Sequence, residues 1–121
     1  MKTFFVLGAL LAALAVGLGA FGAHALRSAL TPEDLATFEI GVRYQMYHAL
    51  ALLGVAWATT QWPGAAVTVA GWAFVTGIVI FSGSLYTLVL SGQRWLGAVT
   101  PLGGVSFMIG WALLAWSAWR G

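Results

Sequence analysis

The chain has 121 residues and no cysteine, and 61% of it is hydrophobic against 7% charged, with a mean hydropathy of +0.94. A soluble domain carries about 25% charged residues, so this composition excludes a soluble globule and indicates a protein of the lipid bilayer. The net charge of +2 comes without any cluster of Lys and Arg, which excludes nucleic acid as a partner.

The spacing of the charged residues predicts four membrane helices. Stretches free of Lys, Arg, Asp and Glu run over 3–26, 44–93 and 95–119. A membrane helix needs about 20 apolar residues, so each end stretch holds one helix. The middle stretch holds two, because the polar and helix-breaking residues at 59–64 predict a turn.

The sequence therefore predicts an all-α, integral membrane four-helix bundle that forms a single domain over residues 1–121. We place the helices at about 3–25, 32–60, 65–91 and 98–119. Short connections make consecutive helices antiparallel neighbours, and an even number of crossings puts both termini on one side of the membrane.

The first stretch also has features of a signal peptide, with Lys2 at its start and small residues at Ala23 and Ala25. Its apolar part is longer than the seven to fifteen residues, roughly, that such peptides contain. We therefore expect it to be the first membrane helix.

The second helix has a clear start, since Thr31 is a good capping residue and Pro32 suits the first helical position. At about 1.5 Å per residue, the helix would be longer than the ~30 Å of hydrocarbon. Its first turns mix apolar and charged residues, so we expect an interfacial amphipathic segment ahead of the span. Within it, Glu39 and Arg43 lie at i and i+4 and are expected to pair.

Small residues are expected to pack the helices, because membrane helices associate through close backbone approach. Small residues follow helical spacing on two helices. On the first they are Ala9, Ala13 and Gly17, with Ala15, Gly19 and Ala23 beside them, and on the fourth they are Gly103, Ser106 and Gly110. We expect these faces to bring the first and fourth helices into close contact.

Polar residues concentrate in one part of the chain, since seven of the ten ionisable side chains lie between positions 24 and 48. Two interpretations stay open: a small polar pocket for an anion or a proton, or a set of hydrogen bonds that join the helices. The candidate residues are His24, Arg43, Gln45, Tyr47, His48, Ser82 and Tyr86.

No complete catalytic or metal-binding set is present. A metal site needs three or four ligands, and only His24 and His48 qualify clearly, so we expect neither metal nor cofactor, with a haem between the two His as the remaining option. A serine hydrolase would need an acid near Ser82 or Ser84, but all three acids lie near the start of the second helix. A phosphate-binding loop motif is also absent. We therefore expect no enzymatic activity.

Four blocks of sequence resemble one family of small membrane proteins. They are GAFGAHAL at 19–26, GVRYQMYHALA at 41–51, FSGSLY at 81–86 and TPLGG at 100–104. Their order and content are similar to the bacterial family called domain of unknown function 423, whose animal relatives are called transmembrane protein 256. The resemblance implies four transmembrane helices in the bacterial plasma membrane, or a mitochondrial setting for relatives, and no established activity. The blocks coincide with the polar residues above and add Ser84 to the candidate positions.

Two functions remain open from the sequence. The first is a structural or accessory protein of the lipid bilayer that forms a homo-oligomer or joins a larger membrane complex. The alternative is a channel or transporter for a small ion or polar solute, which would need at least a dimer because four helices enclose a pathway poorly. The size of the chain is similar to that of small multidrug exporters and fluoride channels. The first helix, however, has no acidic residue of the kind such an exporter uses to couple protons, and the chain contains no Asn for the polar track of a fluoride channel. These two absences favour the first function.

Overall fold

A computed structural model describes residues 2–121, and these form four long helices with no strand. Helix α1 is Lys2–His24 and helix α2 is Pro32–Gln61. Helix α3 is Ala65–Ser91. A 3-10 turn at Arg94–Ala98 leads into helix α4, Thr100–Arg120. The all-α, four-helix architecture expected from the sequence is confirmed.

Helix α3 changes its winding near its centre. It is α-helical over Ala65–Gly77, π-helical over Ile78–Ser82, and α-helical again over Gly83–Ser91. Single π-helical turns of this kind occur within α-helices and are often found at functional sites. Here it ends at Ser82, one of the candidate residues.

Helix α2 begins as its sequence predicts. The Thr31 hydroxyl accepts a hydrogen bond from the Asp34 backbone N–H at 3.1 Å, and Pro32 takes the first helical position. The helix then continues for 30 residues. The amphipathic segment is thus the N-terminal part of α2 itself and is continuous with the rest of the helix.

Among the described residues, three helical stretches are long and apolar enough to cross a membrane: Lys2–His24, Ala65–Ser91 and Arg94–Arg120. Helix α2 is long enough but more polar. It nevertheless lies antiparallel along α1, with Phe38 beside Gly22 and Leu52 beside Gly8. These contacts are 14 residues apart, about 21 Å of helix, so α2 passes through most of the thickness that α1 spans.

The helices do not pack in the arrangement expected from their small residues. Helix α1 packs against α2, α4 packs against α3, and α2 and α3 form the centre of the bundle. The expected contact between the first and fourth helices is therefore wrong. The α4 face of Gly103 and Gly110 does pack closely, but against Phe81 and Phe74 of α3.

Helix α1 packs with only part of its expected small-residue face: Ala15 is buried, Gly19 is half-buried and Ala23 is exposed. Its buried residues are Phe4, Gly8, Ala15 and Gly22. The expected face of Ala9, Ala13 and Gly17 is exposed on the outside of the bundle. The buried face also carries Phe4, whose ring packs against Gly71 and Trp72 of α3.

The apolar core has two parts along the bundle. One contains Leu52, Val55 and Phe74, and lies toward the α2–α3 turn. The other contains Phe38 and Leu88, and lies toward the α1–α2 and α3–α4 connections. Buried polar residues lie between these two apolar clusters.

Candidate functional site

Five of the eight candidate residues lie inside the bundle. Gln45, His48, Ser82 and Ser84 are buried, and Tyr86 is half-buried. We call these five residues the polar layer. They come from the middle of α2 and from the second half of α3, so the two central helices bring them together.

Gln45 connects three helices. Its side chain is 2% exposed, its Nε2 donates to the Leu11 carbonyl of α1 at 2.9 Å, and its Oε1 accepts from the Tyr86 hydroxyl of α3 at 2.7 Å. Both functional ends of the amide are therefore occupied by partners within the bundle.

Gly41 allows α3 to approach α2 at the same level. A Cβ atom on Gly41 would lie 2.8 Å from the ring of Tyr86, which is closer than side chains tolerate. The Ser82 hydroxyl donates to the Gly41 carbonyl at 2.6 Å. Ser82 and Tyr86 are spaced i and i+4, so they face α2 together.

His48 has a defined tautomer. Its Nδ1 lies 2.8 Å from the Tyr44 carbonyl and its Nε2 lies 3.1 Å from the Trp111 indole nitrogen. A carbonyl only accepts and an indole N–H only donates, so Nδ1 carries the proton, Nε2 accepts, and the ring is neutral. The ring also stacks on Phe107 with 3.6 Å between centroids. No ring nitrogen is left free for a substrate.

Ser84 connects α3 to α4. Its hydroxyl lies 2.6 Å from the Thr100 hydroxyl and donates to the Phe81 carbonyl at 2.9 Å. A second link between these helices is formed by Ser106, which donates to the Ala73 carbonyl at 2.7 Å.

Sequence reasoning missed two members of this network, Thr100 and Trp111. Thr100 belongs to the block TPLGG at 100–104 but was not among the candidate polar residues. Trp111 lies in the middle of α4, away from the helix ends where tryptophan is common in membrane proteins. That central position was the signal that could have identified it.

The other three candidate residues lie on the surface. His24 is exposed at the end of α1, Tyr47 is 51% exposed beside Tyr44, and Arg43 is exposed on α2. These three side chains therefore lie apart from the buried ones, and the seven residues of the pocket interpretation are not brought together in one enclosed site.

The expected pair of Glu39 and Arg43 is not formed either. Within residues 2–121, Arg94 and Asp34 form the one ion pair with a nitrogen–oxygen distance below 4.0 Å. Glu39 and Arg43 are both exposed. An exposed i, i+4 pair stabilises a helix by only about 0.3–0.5 kcal/mol, which is little to restrain two long side chains.

Arg94 and Asp34 join the two connections at one end of the bundle. The guanidinium donates two hydrogen bonds to the carboxylate, at 2.9 and 3.0 Å. These hydrogen bonds hold the pKa of Asp34 below its usual value, so the carboxylate stays charged well into the acidic range. The pair fixes the start of α2 against the turn before α4.

The buried polar atoms of the polar layer all have partners within the bundle. Every buried side-chain nitrogen and oxygen in residues 2–121 has a hydrogen-bond partner. Surface clefts of about 640, 380 and 290 Å³ lie along α1, α2 and the α2–α3 turn, and polar-layer residues line none of these three. The same part of the chain holds no group of three metal-ligating side chains.

Comparison with known proteins agrees with a membrane-embedded bundle. The family model described as protein of unknown function (DUF423) matches residues 18–104. The UPF0382 membrane protein YwdK of Bacillus subtilis (strain 168) is 50% identical over 119 residues, which cover 98% of this chain and 97% of the relative. The UPF0382 membrane protein SAB0533 of Staphylococcus aureus (strain bovine RF122 / ET3-1) is 52% identical over 116 residues, covering 94% and 93%.

No solved structure matches the chain. The relatives are bacterial membrane proteins by name, and three apolar helices of this chain fit several passes through a bilayer. The chain is a multi-pass membrane protein that belongs to the DUF423 family of proteins of unknown function.

Proposed function

We propose that the protein is a structural or accessory component of the membrane, and that its polar layer joins the helices rather than binding a solute. The observation that carries this proposal is the complete pairing of the polar layer: Gln45 and His48 each use both ends of their side chains within the bundle. A site for a polar solute needs donors or acceptors that are free to meet it.

Hydrogen bonds between membrane helices contribute about 0.6–2 kcal/mol each. Gln45, Ser82 and Ser84 form such bonds to α1, α2 and α4 respectively. Helices in lipid gain little free energy from burying apolar surface against one another. These hydrogen bonds therefore help to hold the helices in one specific arrangement. This is a structural role, and the proposal assigns no catalytic step to these residues.

Reconstitution tests the absence of transport. Purified protein is placed in liposomes, and the passage of protons, chloride and potassium is followed with entrapped dyes against empty vesicles. We expect no flux above the empty vesicles. Flux that Gln45→Leu abolishes, while the helical circular dichroism is retained, would contradict the proposal and favour the channel or transporter function. Tyr47→Leu, on the exposed face of the same helix, is the control.

Native gels test the accessory role. A tagged copy is extracted gently from its own membranes, and its migration is compared with that of the purified protein. We expect a larger complex of defined size in the native extract, whose members mass spectrometry then identifies. Identical migration of the two samples would contradict the accessory role, because the protein would then have no partner proteins in the native extract.

A further inference from the structure

A cleft of about 290 Å³ lies between α1 and α2 near the end of the bundle that holds the Asp34 and Arg94 pair. It is lined by Gly19 and Gly22 of α1 and by Phe38, Glu39, Val42 and Arg43 of α2. Four of its six lining residues are glycine or apolar, and the two charged residues are of opposite sign. Its volume is close to the lower end of ligand pockets, which is roughly 300 Å³.

The two charged side chains of this cleft are free to meet a ligand. Glu39 and Arg43 are exposed and do not form an ion pair with each other, and neither makes a side-chain hydrogen bond within residues 2–121. A free guanidinium is costly in hydrocarbon, at about 2.5 kcal/mol or more, unless it reaches the interface or meets an anion. An anionic partner for Arg43 would remove this cost.

The cleft lies close to the end of α1 at His24. Val42 packs beside Gly19 and the two helices are antiparallel, so Arg43 lies about six residues, or about 9 Å, inside that end. Glu39 lies one helical turn closer to that end, about 6 Å from Arg43 along the axis. Arg43 therefore lies nearer the bilayer centre than Glu39, and apolar residues line the cleft at both levels.

This order is complementary to one class of membrane lipid. In a phospholipid with an ethanolamine headgroup, the acyl chains are followed by a phosphate and then by a primary ammonium, which lies nearest to water. We propose that the α1–α2 cleft binds such a zwitterionic phospholipid. Arg43 donates to the phosphate, Glu39 accepts from the ammonium, and the first part of an acyl chain lies against Gly19 and Val42. This proposal goes beyond the structural role of the polar layer and does not depend on it.

Native mass spectrometry of the detergent-purified protein tests the proposal with three lipids of equal chain length. Phosphatidylethanolamine has both charges, phosphatidylcholine has a cation that cannot donate hydrogen bonds, and phosphatidylglycerol has no cation. We expect the wild-type protein to retain phosphatidylethanolamine about fivefold better than either of the others, because only this lipid completes both charge-assisted contacts.

Two variants separate the contacts. Arg43→Gln is expected to weaken binding of phosphatidylethanolamine about tenfold, since a hydrogen bond to a charged group is lost. Glu39→Gln is expected to remove the preference for phosphatidylethanolamine over phosphatidylcholine while phosphate binding remains. Both side chains are exposed, so both variants keep the melting temperature of the wild type, which is measured in parallel.

Arg27→Gln and Glu33→Gln are the matched controls, because both residues are exposed at the same end of the bundle and neither lines the cleft. Both controls are expected to bind lipid as the wild type does. Equal retention of the three lipids by the wild type would overturn the proposal. So would losses in the controls as large as those in Arg43→Gln and Glu39→Gln, since binding would then follow overall charge.

Discussion

His48 shows how one polar residue is accommodated in an apolar bundle. Its Nδ1–H donates to the carbonyl of Tyr44, four residues earlier in its own helix, and its Nε2 accepts from Trp111 of another helix. The neutral ring then behaves as an aromatic surface and stacks on Phe107. The side chain therefore contributes both a directed hydrogen bond to α4 and packing area.

The Trp111 hydrogen bond can be tested by removing the donor alone. Trp111→Phe keeps an aromatic ring but leaves Nε2 of His48 without a partner, so the free energy of unfolding should fall by about 1–2 kcal/mol more than the loss of ring area explains. Thermal unfolding in detergent measures the change. Trp116→Phe is the matched control, because Trp116 is exposed to nearly the same extent, 51% against 47%, and makes no hydrogen bond with its indole within residues 2–121. Equal destabilisation by both variants would show that the His48 bond contributes nothing.

Gln45 and His48 belong to the polar cluster that the sequence predicts in α2, and both are buried. Arg43 and Tyr47 lie in the same stretch and were predicted with them, but they are exposed. Every polar residue in a short helical segment looks alike in sequence. Which of them faces inward depends on where α1, α3 and α4 contact α2.

At the scale of single elements, close contact between α1 and α2 depends on glycine at particular positions. A Cβ atom on Gly8 would lie 2.7 Å from the Ala49 carbonyl oxygen, which is backbone and cannot rotate away. Gly17 of the same helix has no atom within 4 Å of its Cβ position. The two glycines therefore have different roles in one helix.

Alanine substitution should separate these roles. Gly8→Ala is expected to force α1 away from α2 and to lower the free energy of unfolding by about 1–3 kcal/mol. Gly17→Ala should leave it unchanged or raise it by up to about 1 kcal/mol, since alanine favours the helix. Unfolding of both variants in mixed micelles measures the difference. A Gly8→Ala variant as stable as Gly17→Ala would mean that the α1–α2 contact is looser than the structure has it.

At the scale of the whole molecule, the arrangement of helices places α2 and α3 between α1 and α4. The network follows the same order: Gln45 links α2 to α1, Ser82 links α3 to α2, and Ser84 and Ser106 link α3 to α4. Each of these three helix pairs thus has at least one side-chain hydrogen bond in addition to its close contacts.

Crosslinking tests this arrangement, and the absence of native cysteine makes it simple. Cysteines at Ala73 and Ser106 should react with a short thiol crosslinker, because these residues already contact each other across α3 and α4. Cysteines at Ala13 and Ser106 should not link within one chain, since Ala13 faces outward from α1. Efficient linkage within one chain in the second pair would restore the direct contact of α1 with α4 and contradict the fold.

The class of protein, the number of helices and their approximate bounds follow from the sequence alone, because apolar length, turn residues and caps act locally along the chain. The concentration of polar residues in α2 and α3 follows from it as well. Which small-residue face packs against which helix, and which polar side chains point inward, depends on the tertiary structure. In lipid, several glycine and alanine faces are equally able to pack, so the choice among them depends on contacts between residues far apart in the chain, such as Phe4 with Gly71 and Phe107 with Gly77.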